Sequence, residues 1–222
     1  MGNTLDQIFE SSMGGADYAR SYANYLCQLL EELDYESVAQ VMDIFCAARE
    51  RGSRIFFLGN GGSASTASHF ANDFAIGTRL SVKPFKAVSL TDNNSILTAL
   101  GNDEGYENIF VKQLEVYLEP EDVVVVISAS GNSPNLVEAV EFANKRYNPT
   151  VALVGFDGGK LKQISGANVH IETPKGDYGP CEDLHMILDH LMASFLYRWA
   201  REDSQEALDI VSPRKSSKVV NL

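Results

Sequence analysis

The chain has 222 residues, which is enough for one substantial hydrophobic core and for one domain or at most two. Its formal net charge of −12, with no cluster of Lys or Arg before the C-terminal tail, argues against a nucleic-acid-binding surface. The cysteines lack CxxC spacing, no apolar run approaches about 20 residues, and the N-terminus has no leader pattern. We therefore predict a soluble, cytoplasmic protein without nucleic-acid or membrane partners.

Two helices are predicted over about residues 14–51, because apolar residues recur there at helical spacing. They have no obvious partner in a minimal sheet domain, so we favour a subunit interface over packing against the edge of a sheet. From residue 54 onward, short apolar runs alternate with helical stretches. The predicted strands are 54–58, 86–90, 122–127, 150–154 and 167–171. The predicted helices are 63–77, 93–100, 105–117, 133–145, 159–164 and 180–201.

This alternation predicts an α/β fold with a doubly wound parallel sheet. Apolar runs without alternation are typical of parallel strands that are covered on both faces. We expect residues 1–201 to form a single domain and residues 202–222 to form a C-terminal tail or arm. Ligands of such sheets bind at the carboxyl ends of the strands.

Two segments at predicted strand ends share one design, a serine-bearing turn that leads into a helix. They are residues 59–63 (GNGGS) and residues 128–133 (SASGNS). Unpaired backbone N–H groups and the positive end of a helix dipole attract anions at such places. Either turn alone is compatible with an ordinary tight turn and a serine N-cap. Two of them in one sheet favour a small phosphorylated ligand, and neither matches the dinucleotide or NTP motifs.

Histidines and carboxylates form a second pattern. His69 and Asp73 are four residues apart on one predicted helix, and Glu182 and His190 are eight apart on the closing helix. These side chains suit Zn²⁺ or a similar metal, although a His–Asp pair at this spacing is more often solvated. Eight residues of helix rise about 12 Å, so Glu182 and His190 reach one ion only through a loosened first turn or from different subunits. His170, in a predicted strand, is interpreted as structural.

Over roughly residues 15–200 the chain resembles the sugar isomerase (SIS) domain proteins and, within them, the phosphoheptose isomerases. The motifs that carry the resemblance are GNGGSA at 59–64, HFAND at 69–73, LGND at 100–103, ISASGNS at 127–133, GFDGG at 155–159 and EDLHM at 182–186, followed by His190. The resemblance implies conversion of sedoheptulose 7-phosphate to D-glycero-D-manno-heptose 7-phosphate through an enediolate. It also implies a homotetramer with active sites at subunit interfaces and one zinc ion in each site.

The resemblance implies a role for each matching position. Asp73 and His190 match the general base and the general acid. The positions that match metal ligands are His69, Asp73, Glu182 and His190. The positions that match substrate contacts are Asn60, Gly61, Gly62, Ser63, Asn102, Asp103, Ser128, Ala129, Ser130, Ser133 and Glu182, of which the serines match the phosphate contacts.

Three positions depart from the family pattern. Asp73 stands where Glu is usual, Glu182 where Gln is usual and Ala129 where Thr is usual. These changes leave open a different phosphosugar or a different metal. A non-catalytic, phosphosugar-binding regulator of the replication-initiator-binding type is the other alternative. The presence of His69, an acid at position 73 and His190 favours catalysis.

Overall fold

The computed structural model describes residues 3–79 and 82–211, with the backbone alone described for 203–211. The helices and strands of this part are, in chain order, α1 (Thr4–Ser11), α2 (Gly15–Glu31), α3 (Tyr35–Arg51), β1 (Arg54–Gly59), α4 (Gly62–Asn72), β2 (Lys86–Ser89), α5 (Asn94–Asp103), α6 (Val111–Tyr117), β3 (Val123–Ser128), α7 (Pro134–Lys145), β4 (Thr150–Val154), α8 (Gly159–Ile164), β5 (Ala167–His170) and α9 (Tyr178–Val211). A π-helical turn, Asp73–Gly77, continues α4. No helix in the described ranges is long and apolar enough to cross a membrane.

The five strands form one parallel sheet in the order β2-β1-β3-β4-β5. Every residue of β3 is buried, as expected for a parallel strand that is covered on both faces. The predicted α/β fold and all five predicted strands are confirmed, each strand boundary to within one residue. The strand order reverses beside β1, so the carboxyl ends of β1 and β3 lie next to each other, with Gly59 opposite Ile127. Both serine turns start at this edge.

Alternate residues of each strand point into two separate apolar layers, as the twofold period of a strand requires. One layer packs the sheet against α2, α3, α4 and α9, and the other packs it against α5 to α8. In the first layer Phe57 of β1 stacks on Phe70 of α4, with ring centroids 5.1 Å apart. Phe74 of the π-helical turn meets Phe45 of α3 edge-on at 5.2 Å. These contacts fix α4 and its π-helical extension, and therefore the side chains that they carry, onto the sheet.

The N-terminal region contains a helix that the sequence pattern missed. Helix α1 is short and has a capping box between Asn3 and Asp6. Its first backbone N–H groups, at Thr4 and Leu5, donate to the fully buried carboxylate of Asp177, at 3.2 and 3.3 Å. The predicted pair of helices is confirmed as α2 and α3, both of which pack on the sheet domain. Their use in a subunit interface stays a prediction.

The last helix is longer than predicted. Helix α9 begins at Tyr178 and reaches Val211, ten residues past the predicted end at 201. The predicted tail, 202–222, therefore begins inside this helix, and residues 212–222 lie outside the described residues.

Candidate phosphosugar site

The candidate site lies along two neighbouring helices, α4 and α9. The carboxylate of Glu182 lies against Gly62 near the start of both helices, and His190 meets His69 seven to eight residues further on. The two helices therefore run in the same direction. Two groups of polar side chains occur along them, separated by about two helical turns or roughly 10–12 Å. We call them the serine pocket and the His/Asp group.

The serine pocket is a cavity of about 190 Å³ at the carboxyl ends of β1 and β3. Its lining residues are Asn60, Ser63, Ile127, Ser128, Ala129, Ser130, Ser133, Tyr178 and Glu182. Helices α4 and α7 begin here, after Gly61 and Ser133, and neither N-terminus receives a hydrogen bond from the side chain of its capping residue. Because Pro134 has no N–H, the groups left for a ligand are the N–H groups of Gly62 and Ser63 in α4 and of Asn135 in α7. Helix N-termini of this kind bind phosphate and carboxylate groups.

Local sequence builds both turns. Gly61 has a φ of +55° and Gly131 a φ of +63°, conformations in which glycine is favoured. A Cβ on Gly59 would overlap the backbone of Ser63, so the first turn folds back on itself only with glycine at this position. In the second turn, the Ser128 hydroxyl accepts a hydrogen bond from the Gly131 N–H at 3.1 Å. Ser128 is 5% exposed, so its hydroxyl both supports the turn and lines the pocket.

The two turns are joined by side chains of which the sequence analysis had named only Asn60. The amides of Asn60 and Asn135 donate to each other's carbonyl oxygens, both at 2.9 Å, and the Tyr106 hydroxyl also donates to Asn60 at 3.0 Å. Asn135 is 1% exposed. The sequence signal that could have identified Asn135 is an amide at the second position of α7, directly after Pro134. The pair holds the two helix N-termini at a fixed separation.

Several predicted substrate contacts fall outside the pocket wall of this chain. Asn102 and Asp103 lie at the exposed end of α5, where the Asn102 amide donates to Asp103 at 2.7 Å. Gly61 and Gly62 shape the first turn and are not among the residues that line the cavity. The structure thus brings Asn60, Ser63, Glu182 and residues 128–130 and 133 together, and leaves Asn102 and Asp103 apart from them.

Glu182 belongs to the serine pocket. A Cβ on Gly62 would overlap the Glu182 carboxylate, which places that group over the first turn of α4. Burial raises the pKa of Glu182, and the nearby charge of Asp183 raises it further. A carboxylate at the positive end of a helix is favourable by itself. In this position it also brings negative charge to a pocket whose other polar groups attract anions.

The His/Asp group contains His69, Asp73, Asp189 and His190. One nitrogen or oxygen atom from each side chain lies within 4.8 Å of the others. His69 Nε2 is 3.3 Å from His190 Nε2, 3.5 Å from Asp73 Oδ2 and 3.8 Å from Asp189 Oδ2. Helix α4 carries His69, its π-helical extension begins at Asp73, and α9 carries the other two. π-Helical turns are frequent at functional sites.

Asp189, four residues after His185 on the closing helix, is the member that the sequence analysis did not assign to the metal site. Its side chain is 0% exposed, and neither carboxylate oxygen accepts a hydrogen bond from the described residues. Burial raises the pKa of Asp189 to about 8, with a further contribution from the charge of Asp73. The sequence signal that could have identified Asp189 is a carboxylate directly after the apolar residues 186–188 of α9. A buried carboxylate without a partner is costly unless a cation or a proton compensates it.

Three of the four predicted metal ligands, His69, Asp73 and His190, are brought together. Glu182 is not in the group, because α9 is regular from Tyr178 onward and separates Glu182 from His190 by about 12 Å. The assignment of Glu182 as a metal ligand stays a prediction. His170 makes structural contacts, since its Nε2 donates to the Phe156 carbonyl at 2.9 Å.

The His/Asp group borders its own cavity, of about 290 Å³, which opens toward the C-terminal half of α9. Its lining residues are Asp73, Gly77, His190, Ala193, Ser194, Tyr197 and Arg198. This cavity shares no lining residue with the serine pocket. One chain therefore presents the serine pocket and the His/Asp group at two separate openings.

Known proteins resemble this chain in sequence and in fold. The SIS domain family model matches residues 17–155. A phosphoheptose isomerase from Helicobacter pylori (strain P12) is 37% identical over 169 residues, which cover 76% of this chain and 86% of that protein. A solved phosphoheptose isomerase structure from Neisseria gonorrhoeae is 34% identical, with a TM-score of 0.72 and coverage of 82% of this chain and 95% of that chain. Another, from Francisella tularensis, is 26% identical with a TM-score of 0.74, covering 84% and 100%.

Proposed function

The chain belongs to the SIS domain family and, within it, to the phosphoheptose isomerases, and on that premise we propose that it interconverts sedoheptulose 7-phosphate and D-glycero-D-manno-heptose 7-phosphate. It is an aldose–ketose isomerase. The observation that supports a phosphorylated substrate is the serine pocket. Two helix N-termini without side-chain caps begin there, next to buried hydroxyl groups. Such a pocket suits the phosphate end of a sugar phosphate and leaves its other end free for chemistry.

The acid–base chemistry is proposed for the His/Asp group. Aldose–ketose isomerisation moves a proton between C1 and C2 through an enediolate, and a second proton between the two oxygens. Asp73, whose side chain is 24% exposed, is proposed to take the carbon-bound proton as general base. His190, an exposed imidazole beside His69, is proposed to donate and accept the proton at oxygen.

The donor atoms of this group suit a divalent metal of the Zn²⁺ type. Imidazole nitrogens and a carboxylate oxygen from His69, Asp73 and His190 lie within 4.8 Å of one another, and these are ligand atoms that zinc takes in proteins. We propose that these three residues hold one zinc ion. Bound there, the ion would polarise the sugar carbonyl and stabilise negative charge on its oxygen.

The oligomer is proposed to be a homotetramer in which neighbouring subunits complete each other's active sites. The support is that the serine pocket and the His/Asp group open into cavities without a shared lining residue. A second subunit beside α9 would bring residues such as Asn102 and Asp103 to a site that they do not reach within one chain. Helices α2 and α3 are proposed as part of the subunit contact. A cytoplasmic location is also proposed, consistent with three free cysteines.

The decisive assay uses the purified full chain with sedoheptulose 7-phosphate, after chelation and after addition of Zn²⁺. We expect the aldose product to form, which proton NMR of the new C1 position would follow, and we expect zinc to restore activity lost on chelation. Binding of the sugar phosphate without turnover in every metal condition would instead identify a phosphosugar-binding regulator. Turnover of a different sugar phosphate alone would correct the substrate and leave the isomerase chemistry in place.

A further inference from the structure

The Asp189 carboxylate has the properties of a metal ligand that lacks its cation. Its side chain is completely buried, and neither of its oxygens receives a hydrogen bond from the described residues. A buried carboxylate in that state loses its hydration without gaining a protein donor in exchange. The groups that face it are His69, at 3.8 Å, and Asp73, which carries the same charge. A second carboxylate nearby does not compensate Asp189, whereas a shared cation would compensate both.

The distances from His69 Nε2 to the other three side chains are close to the ligand separations around a small tetrahedral ion. Zinc binds nitrogen and oxygen at about 2.0–2.2 Å, which separates the ligand atoms of a tetrahedron by roughly 3.3–3.6 Å. The measured separations from His69 Nε2 to His190, Asp73 and Asp189 are 3.3, 3.5 and 3.8 Å. Two imidazoles and two carboxylates together offer a charge of −2 when the carboxylates are ionised, which balances one divalent cation.

Glu182 cannot supply the same position within the chain. Its carboxylate lies over Gly62 at the start of α4, about two helical turns from His190. Asp189 precedes His190 directly and points into the same group. We propose that Asp189 is a protein ligand of a Zn²⁺-class cation, beside His69, Asp73 and His190. This inference rests on the proposed function only in placing a cation at the His/Asp group.

The test measures metal binding without any substrate. The full chain is stripped with a chelator and titrated with Zn²⁺ by calorimetry and with Co²⁺ by visible absorption, which reports tetrahedral coordination. The variants are Asp189→Asn, which keeps the shape and removes the charge, and Asp183→Asn, at an exposed carboxylate of the same helix, as the matched control. We expect Asp189→Asn to weaken both metals at least tenfold and to reduce the tetrahedral Co²⁺ absorption. We expect Asp183→Asn to stay within about twofold of the unsubstituted chain.

The stability of the metal-free proteins separates ligation from a packing role. Metal-free Asp189→Asn should unfold close to the temperature of the metal-free parent, because the amide has nearly the same shape as the carboxyl group, while added Zn²⁺ should stabilise it less. If Asp189→Asn does not fold, Asp189→Ser serves the same purpose with a smaller side chain. Unchanged metal affinity in the Asp189 variant, or an equal loss in Asp183→Asn, would overturn the proposal. Metal binding that depends on Asp189 in a protein without isomerase activity would uphold it and refute the proposed function.

Discussion

The serine pocket and the His/Asp group lie on the same two helices, but they are made in different ways. The serine pocket uses backbone N–H groups and neutral hydroxyls contributed by two contiguous turns, residues 59–63 and 128–133. The His/Asp group uses ionisable side chains about 120 residues apart in sequence that meet only because α4 packs against α9. The serine pocket can therefore bind an anion without a positively charged side chain. The His/Asp group, by contrast, depends on the charges of its ionisable side chains. Changes at one site should leave the other largely intact.

The largest effect is expected at the His/Asp group. Replacing His190 by Ala removes the proposed proton donor, and general acid–base catalysis contributes about 10²–10⁴-fold to a rate. We expect kcat to fall by that order, while the affinity for inorganic phosphate changes by less than about twofold. Steady-state kinetics and calorimetric titration with phosphate measure the two quantities.

The matched control for that variant is His170→Ala, which removes a histidine outside both sites. Its kcat should remain close to that of the parent. Turnover that survives in His190→Ala would show that His190 is not the acid. A parallel loss of phosphate affinity would show that the serine pocket and the His/Asp group are coupled within the fold, so that changes at one do not leave the other intact.

A smaller effect is expected in the serine pocket. Ser128→Ala removes the acceptor for the Gly131 N–H, and a buried donor left without a partner costs about 1–3 kcal/mol. We expect a loss of stability in this range, measured by urea unfolding, and a loss of phosphate affinity of about tenfold. Zn²⁺ affinity should not change. Ser11→Ala, at an exposed hydroxyl at the end of α1, is the control and should match the parent in all three measurements.

These two sites also differ in how far the sequence predicts them. The serine turns were predictable because each is local: glycines, hydroxyls and a following helix stand within six residues of one another. The strands were equally predictable, since buried parallel strands are plain apolar runs. Asp189 was not predictable from spacing, because its role depends on which face of α9 meets α4. Helix α1 was missed for a similar reason, since its N-terminus is held by Asp177, distant in sequence.

For Glu182 the predicted ligand role stays a prediction, because the structure describes a single chain. A resemblance transfers a role by position, and Glu182 occupies a position that matches a ligand. In this structure, however, the first turn of α9 lies over the start of α4, where Gly62 leaves room for the Glu182 carboxylate. The rise of a regular helix then keeps Glu182 from the ion that His190 would hold in the same chain.

The smallest effect is expected from Glu182→Gln, and it has the opposite sign to the loss in Ser128→Ala. The substitution removes a negative charge from the wall of an anion pocket at nearly constant shape, so anion affinity should increase. Because the pocket is partly open to solvent, which screens the repulsion, we expect an increase of about three- to tenfold. Sulfate is the suitable probe, since its charge does not change with pH in this range.

The pH dependence of sulfate binding makes that prediction specific to the charge. Burial raises the pKa of Glu182, so lowering the pH toward this pKa converts the carboxylate to its neutral acid. Sulfate affinity of the parent should therefore rise on acidification more steeply than that of Glu182→Gln, and the two should converge at low pH. Affinities that stay apart at low pH would attribute the effect to hydrogen bonding by the amide. A lower affinity in Glu182→Gln at neutral pH would mean that the carboxylate organises the turn at Gly62, so that the serine pocket, like the His/Asp group, depends on an ionised side chain.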